Sequence, residues 1–266
     1  MAIRIWHQSF TVLQDLNAYG EALDAHFRKV ARPDTTIELH GMRNGTYRTN
    51  YPGDDIKHVA IQHLHSNQFI QAALRAEQDG ADAYAISTLP EPGLIEARSL
   101  LGIPVVGYGE SAMLTACMLG RRFGVLLFIE ELAELVTANA ARHGLSSRFA
   151  GAEFVGFTFN DVLAGFDDPG PLIERFRAAA RRLIARGVDV IIPGEAPLNV
   201  LLARNGVHDV DGAVVLDSLA TWVKQAEMMV DLKRQCGVGR SLRGYFNNQP
   251  AADRVKEIME FYQLPI

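Results

Sequence analysis

The strongest constraint on this chain is a segment it contains twice, 107 residues apart, at Gly80 and again at Gly187. The two copies, Gly80-Ala-Asp82-Ala-Tyr-Ala-Ile86-Ser87-Thr88 and Gly187-Val-Asp189-Val-Ile-Ile192-Pro193-Gly194-Glu195, share one plan. Each closes a helix on glycine, runs through a short apolar strand and ends on a polar residue before a proline-containing loop. Ligands of open α/β sheets bind beyond the carboxyl ends of the strands. The repeat therefore predicts two similar half-molecules, each offering one functional residue from a strand tip: Thr88 and Glu195.

Short apolar runs alternate with longer helical patterns along the whole chain, the signature of βαβ units and parallel sheets, so the fold class is α/β. The pattern predicts strands at Ile3–Trp6, Thr36–Leu39, Ala83–Ser87, Ile103–Val106, Phe123–Phe128, Glu153–Phe157, Val188–Ile192 and Ala213–Leu216. It predicts helices over Leu13–Val30, Asp54–Gln78, Glu91–Leu101 and Glu110–Leu119, another through Ala141, and then Leu172–Arg186, Leu219–Arg234 and Ala251–Tyr262. Asp54 and Asp55 suit the positive N-terminus of the longest of these. A Gly-rich loop runs from Gly41 to Gly53. No low-complexity linker separates the halves, so the lobes are expected to interleave, with residues 1–106 and 213–266 in the first and 107–212 in the second.

At 266 residues the chain can bury a full core in two lobes. A net charge of −5 with no basic stripe argues against a nucleic-acid or anionic-membrane partner. The start, Met1-Ala-Ile-Arg-Ile-Trp-His-Gln, holds no apolar leader, and runs such as Val125–Ile129 are too short to span a bilayer; a cytoplasmic protein is expected. Cys117 and Cys236 match neither a disulfide framework nor zinc spacing.

Several motifs carry competing readings. Gly107-Tyr-Gly109-Glu-Ser-Ala112 fits the G-x-G-x-x-A dinucleotide pattern, with Glu130 at the distance of a ribose-binding acid. A tight strand-to-helix turn explains the same glycines, and nothing else suggests hydride transfer. Asp54, His58, Gln62 and His65 fall on one face of the long predicted helix, but there is no H-E-x-x-H spacing and no second cluster, so no metal is expected. His7 ends the first strand beside Gln8 and Ser9, either reaching a ligand or bonded beneath the loop. Arg43, Tyr47 and Arg48 lie in the Gly41–Gly53 loop, which overhangs the carboxyl edge of the sheet, where loops close over ligands. Glu195, set between Pro193-Gly194 and Ala196-Pro197, is either a semi-buried base of raised pKa or a solvated or helix-capping carboxylate.

Four segments, Asp82–Leu94 (DAYAISTLPEPGL), Ile103–Met113 (IPVVGYGESAM), Leu119–Gly124 (LGRRFG) and Asp189–Leu198 (DVIIPGEAPL), resemble the aspartate/glutamate/hydantoin racemase superfamily in this order, and the likeness covers nearly the whole chain. The resemblance implies two similar α/β lobes related by a pseudo-twofold, a cleft between them, and chemistry without metal or organic cofactor on a small carboxylate or cyclic ureide. It also implies association into a homo-oligomer. In the family two cysteines flank the substrate carbon; here Thr88 stands at the first position and Glu195 at the second. A threonine hydroxyl is too weak an acid and base to exchange a carbon-bound proton unaided. The expected site is thus one-sided. Glu195 is its base and Thr88 a hydroxyl donor to an enolate, aided by the backbone N–H groups of Leu89 and Ala196. Ser87 and Ser9 are further hydroxyls for the substrate, and Gln8, His7 and Tyr47 complete the expected binding set. Trp6-His-Gln-Ser-Phe10 lacks the asparagine-rich pattern the family carries there. A racemase or isomerase is expected, with a hydrolase or lyase (decarboxylase included) on the same fold, or a non-catalytic binding protein, as the alternatives.

Overall fold

Two parallel sheets organise the computed structural model, in which residues 2–264 are described; Met1 and residues 265–266, at the ends of the first predicted lobe, lie outside them. The first sheet has the order β2-β1-β3-β4, built from β1 (Ile3–Gln8), β2 (Thr35–His40), β3 (Ala83–Ile86) and β4 (Val105–Gly107). The second has the order β6-β5-β7-β9-β8, built from β5 (Phe123–Leu127), β6 (Phe149–Phe154), β7 (Val190–Pro193), β8 (Asp209–Val210) and β9 (Ala213–Val215). All pairings are parallel except β8 with β9. Setting β1, β2, β3 and β4 against β5, β6, β7 and β9 gives one order in both sheets, so the sequence repeat is a structural repeat. β3 and β7 are buried along their whole length, as strands covered on both faces are.

The repeat extends to single hydrogen bonds. The Ser87 N–H donates to the Gln8 carbonyl at 2.8 Å, and the Gly194 N–H donates to the Leu126 carbonyl at 2.9 Å. Thr88 and Glu195 are each the next residue, at matching places beyond the two strands.

The helices are α1 (Asn17–Val30), α2 (Gly53–Ile56), α3 (Val59–Gln78), α4 (Leu94–Leu100), α5 (Tyr108–Leu119), α6 (Leu132–Arg142), α7 (Phe159–Ala164), α8 (Gly170–Ile184), α9 (Ala196–Arg204), α10 (Ser218–Cys236) and α11 (Ala252–Phe261). The lobes interleave through α5 and α10, which pack on each other. The helix that follows β4 of the first sheet lies on β5 and β7 of the second; the helix that follows β9 of the second lies on β1, β3 and β4 of the first. Trp222 of α10 is fully buried and stacks on Phe27 of α1, with ring centroids 5.5 Å apart.

Four expectations are corrected. The helix predicted over Leu13–Val30 is a 3-10 turn, Leu13–Asp15, followed by α1, because Leu16 leaves helical geometry at φ −135°. The helix predicted over Asp54–Gln78 is two, since His58 is extended between α2 and α3, so Asp54 and His58 do not share a helical face with His65. The strand predicted at Glu153–Phe157 lies earlier, at Phe149–Phe154, and Val155 and Phe157 are buried loop residues. α7, α9 and β8 carry no counterpart among the predicted elements. Finally, Ala213–Val215 pairs with β7, so that strand sits in the second sheet although the predicted boundary assigned residues 213–266 to the first lobe.

Candidate active site

The carboxyl ends of β1, β3, β5 and β7 meet at one cleft. Tyr108, the first residue of α5, donates its phenol proton to the Pro193 carbonyl at 2.9 Å, which ties the tip of β7 to the end of the first sheet. Leu89, just past Thr88, packs so closely on Gly194 that a Cβ there would lie 3.1 Å from Leu89 Cδ2 and 3.0 Å from the Leu126 carbonyl oxygen. The two repeat termini therefore face one another across a narrow cleft of about 60 Å³, open to solvent at its mouth. Polar groups on its wall are Ser9, Thr11, Ser87, Thr88, Glu195 and the tyrosines Tyr19 and Tyr51. Much of the rest is apolar, with Phe10, Phe128, Phe159, Ile56 and Ile129 prominent, and no Lys, Arg or His lines it.

Glu195 dominates this cleft. It is buried and occupies the N-cap position of α9, yet its side chain caps nothing in that helix. Both carboxylate oxygens turn instead to the tip of β5, where Phe128 N–H donates to Oε1 and Oε2 at 3.1 and 3.2 Å and Ile129 N–H donates to Oε1 at 3.1 Å. Burial raises its pKa and these N–H groups lower it in part, leaving it at about 8. The carboxyl is thus poised between acid and base near neutral pH, with its orientation set by backbone donors. Opposite, Thr88 is half-buried and Ser87 is buried with a hydroxyl that finds no hydrogen-bond partner among the described residues. A buried hydroxyl without a partner costs stability unless a ligand completes it.

Of the residues expected from sequence, the structure brings Ser9, Ser87, Thr88, Glu195 and Ala196 to the cleft wall. His7, Gln8, Tyr47 and Leu89 are not on it. His7 is fully buried beneath the loop, its Nδ1 3.1 Å from the His40 carbonyl, and burial lowers its pKa to about 3, which keeps it neutral. Gln8 accepts from the Trp6 indole and donates to the Ser9 carbonyl. Tyr47 anchors the Gly41–Gly53 loop by donating to the Phe10 carbonyl at 2.7 Å. Leu89 serves as the packing contact to Gly194. Arg43 and Arg48 are exposed.

The dinucleotide-like turn has its own occupant. The buried Glu91 carboxylate accepts from the Glu110 N–H at 2.7 Å, at the N-terminus of α5, and a Cβ on Gly107 would lie 2.2 Å from Glu91 Oε1. The glycines admit that carboxylate, which fills the place a phosphate would take. His65, one of the residues weighed as metal ligands, pairs with Asp55 at 3.0 Å. Among the described residues no group of three or more His, Cys, Asp or Glu is placed to hold a metal ion, and no helix is long and apolar enough to cross a membrane.

Four contributors escaped the sequence reading: Tyr51, Phe159 and the backbone amides of Phe128 and Ile129. Backbone donors leave no residue signature. A signal for Phe159 exists in Thr158-Phe-Asn-Asp161, a capping box whose Asp161 carboxylate accepts from the Thr158 N–H at 2.7 Å and fixes the start of α7. A larger groove between α11 and α3, lined by Leu74, Glu77, Lys256 and Met259 among others, receives no strand tip.

Comparison with known proteins bears on the family and the fold. The family model for Asp/Glu/hydantoin racemases matches residues 17–226. A hydantoin racemase from Pseudomonas sp. (strain NS671) is 28% identical over 219 residues, covering 82% of this chain and 83% of that one. Among solved structures, allantoin racemase from Klebsiella pneumoniae superposes with a TM-score of 0.75 at 23% identity, covering 94% of both chains. Allantoin racemase from Pseudomonas fluorescens does so with a TM-score of 0.70 at 23% identity, covering 94% of this chain and 98% of that one. At such identities the structures establish the shared two-lobe fold.

Proposed function

The chain belongs to the Asp/Glu/hydantoin racemase family, and on that premise we propose that it inverts a hydantoin-like cyclic ureide by proton transfer at carbon, with Glu195 as base and with no metal or organic cofactor. The observation that carries this reading is the buried Glu195 carboxyl, oriented by two backbone N–H groups and raised to about 8, facing the other lobe's strand tip. A substrate carboxylate would share the cleft with Glu195 and meet no cationic side chain on its wall, an unfavourable pairing of like charges away from water. An uncharged ureide ring meets no such penalty, and the aromatic wall suits its substituent.

In the proposed step the Glu195 carboxylate removes the proton from the ring carbon beside the carbonyl, and the C–H electron pair moves onto the carbonyl oxygen. Thr88 donates its hydroxyl proton to a hydrogen bond with that enolate oxygen, with the N–H group of Ala196 alongside and Ser87 holding a further polar atom of the ring. The same carboxyl returns a proton to carbon. Return to the original face restores the starting enantiomer, and inversion requires the enolate to present its other face. Where the proton held on Glu195 is replaced from solvent before the enolate turns, exchange with solvent outruns inversion.

The test is incubation of chiral 5-substituted hydantoins and small chiral carboxylates in deuterated water, read by mass and by chiral separation. Deuterium gain at carbon without other change, faster than inversion and at least ~10³-fold slower in Glu195→Gln, is the expected result. Gain of water or loss of carbon dioxide would make the protein a hydrolase or lyase on this fold, binding without exchange a non-catalytic binder, and an unaffected Glu195→Gln rate would remove Glu195 from the chemistry.

A further inference from the structure

We propose that Tyr51 is a third functional side chain of this cleft: a phenol hydrogen-bond donor to the substrate, carried by a loop of the first lobe and clasped in place by Gly53 and by Phe159 of the second. The inference rests on the proton-transfer reading above and adds a residue to it.

Three observations converge. First, Tyr51 lines the cleft while its ring stacks on Phe159, with centroids 5.0 Å apart and planes 16° from parallel, so a side chain of the first lobe spans the opening to the second. Phe159 in turn packs near Phe128, whose N–H holds Glu195. Second, the ring folds back over Gly53. A Cβ at that position would lie 2.1 Å from Tyr51 Cζ and 2.3 Å from its Oη, so only glycine leaves the space the ring uses. Third, the loop is fixed for this purpose. The Tyr51 N–H donates to Thr49 Oγ1 at 3.1 Å, Thr49 Oγ1 donates to Asp54 at 3.0 Å, and Asp55 pairs with His65 of α3. Tyr47 adds its anchor to Phe10. Within this well-held loop the phenol of Tyr51 donates to no acceptor among the described residues.

The electrostatics assign the phenol its role. Burial and the facing carboxylates of Glu195, Asp54 and Glu131 hold its pKa well above the ordinary phenol range, so it stays protonated. It donates, and it does not act as a second base. The acceptor that suits it is a ureide carbonyl oxygen, on which negative charge grows as Glu195 removes the carbon-bound proton. A neutral donor already held beside the oxygen on which charge grows stabilises that charge more than it stabilises the ground state.

The experiment compares kcat and KM for inversion of a 5-substituted hydantoin by the wild type, Tyr51→Phe and Gly53→Ala, with calorimetric binding of the same hydantoin to each and to Tyr51→Ala. Tyr51→Phe keeps the stack on Phe159 and loses only the donor, so kcat is expected to fall about 100-fold while KM rises no more than about fivefold. Gly53→Ala displaces only the free end of the ring; it is expected to lower kcat similarly and to raise KM about tenfold or more, because the clasp is lost. A Tyr51→Phe kcat within about twofold of wild type overturns the proposal. Should the wild type bind the hydantoin without inverting it, the proton-transfer reading fails by itself, and the tyrosine contact is judged by calorimetry: a tenfold weaker Kd in Gly53→Ala and Tyr51→Ala sustains it, and unchanged affinity overturns it.

Discussion

Glu195 is held between two opposing influences. Burial disfavours its charge, while the N–H groups of Phe128 and Ile129 favour it, and the balance lies at about 8 instead of 4.5. If Glu195 is the base, kcat/KM rises with pH with an ascending limb centred near 8. The same shift is a stability statement. Between about 4.5 and 8 the folded chain binds a proton there that the unfolded chain has released, so folding stability falls as pH rises through this window and levels off above it. Glu195→Gln lacks that slope. Urea unfolding at pH 5, 7 and 9 is expected to show the variant gaining on the wild type, by several kcal/mol at most, and a pH-independent difference would show the carboxyl to be unperturbed. His7 acts at the acid end. Its folded pKa of about 3 lies below the ordinary 6.5, so the stability present above 6.5 is lost as pH falls toward 3. Thr88 and Glu195 were legible in the sequence because the repeat puts them in register. Tyr51 was not, because its reach depends on a neighbour's missing Cβ, and the Phe128 and Ile129 donors are backbone that any sequence supplies.

At the level of elements, the tip of β7 is a tight joint in the site. The Gly194 N–H bonds the Leu126 carbonyl, and a Cβ on Gly194 would come within 2.4 Å of Leu127 Cδ2 and 3.0 Å of that same carbonyl oxygen. Gly194→Ala must therefore turn the Leu127 side chain and press on the Leu126 carbonyl at the end of β5, next to the amides that orient Glu195. A loss of about 1–3 kcal/mol is expected, with turnover falling further than stability alone would explain. Gly20 offers the contrast. It sits within α1, where an added Cβ would meet nothing inside 4 Å, and Gly20→Ala is expected to stabilise by about 0.5–1 kcal/mol with unchanged turnover. Thermal melts and rates of both variants test this, and equal behaviour would refute the account of the joint. The strands of the repeat could be read directly because apolar runs between glycine and a polar tip have no other use. α9 could not, because Pro193-Gly-Glu-Ala-Pro197 reads as loop, although proline in a first turn is favourable to a helix. β6 was misplaced because Phe149–Phe154 is half-buried throughout, with Gly151 at φ 128°, so its pattern is weaker than that of the buried loop residues after it.

Over the whole molecule, the crossing of α5 and α10 decides how the two lobes respond to stress. Each sheet is covered by a helix that the other sheet's strands lead into, so neither lobe can lose its fold without uncovering the other. Tyr108 adds a polar tie, bonding from the start of α5 to the Pro193 carbonyl. The interleaving was legible as an expectation, since no linker parts the halves, but which helix crosses depends on packing that a linear pattern does not record. Unfolding is expected as one cooperative transition, with calorimetric and van't Hoff enthalpies equal. A sharper form uses Trp222, fully buried against Phe27 and the edge of His7 on the first-sheet side. Trp222→Ala is expected to cost about 3–5 kcal/mol, and hydrogen exchange of the β7 amides in the second sheet should accelerate by the same factor as that of the β3 amides in the first. Faster exchange in β3 with β7 unmoved would mean that the lobes open separately. The cleft between Thr88 and Glu195 would then be a joint between independent bodies, whereas matched acceleration makes it a fixed feature of one cooperative fold.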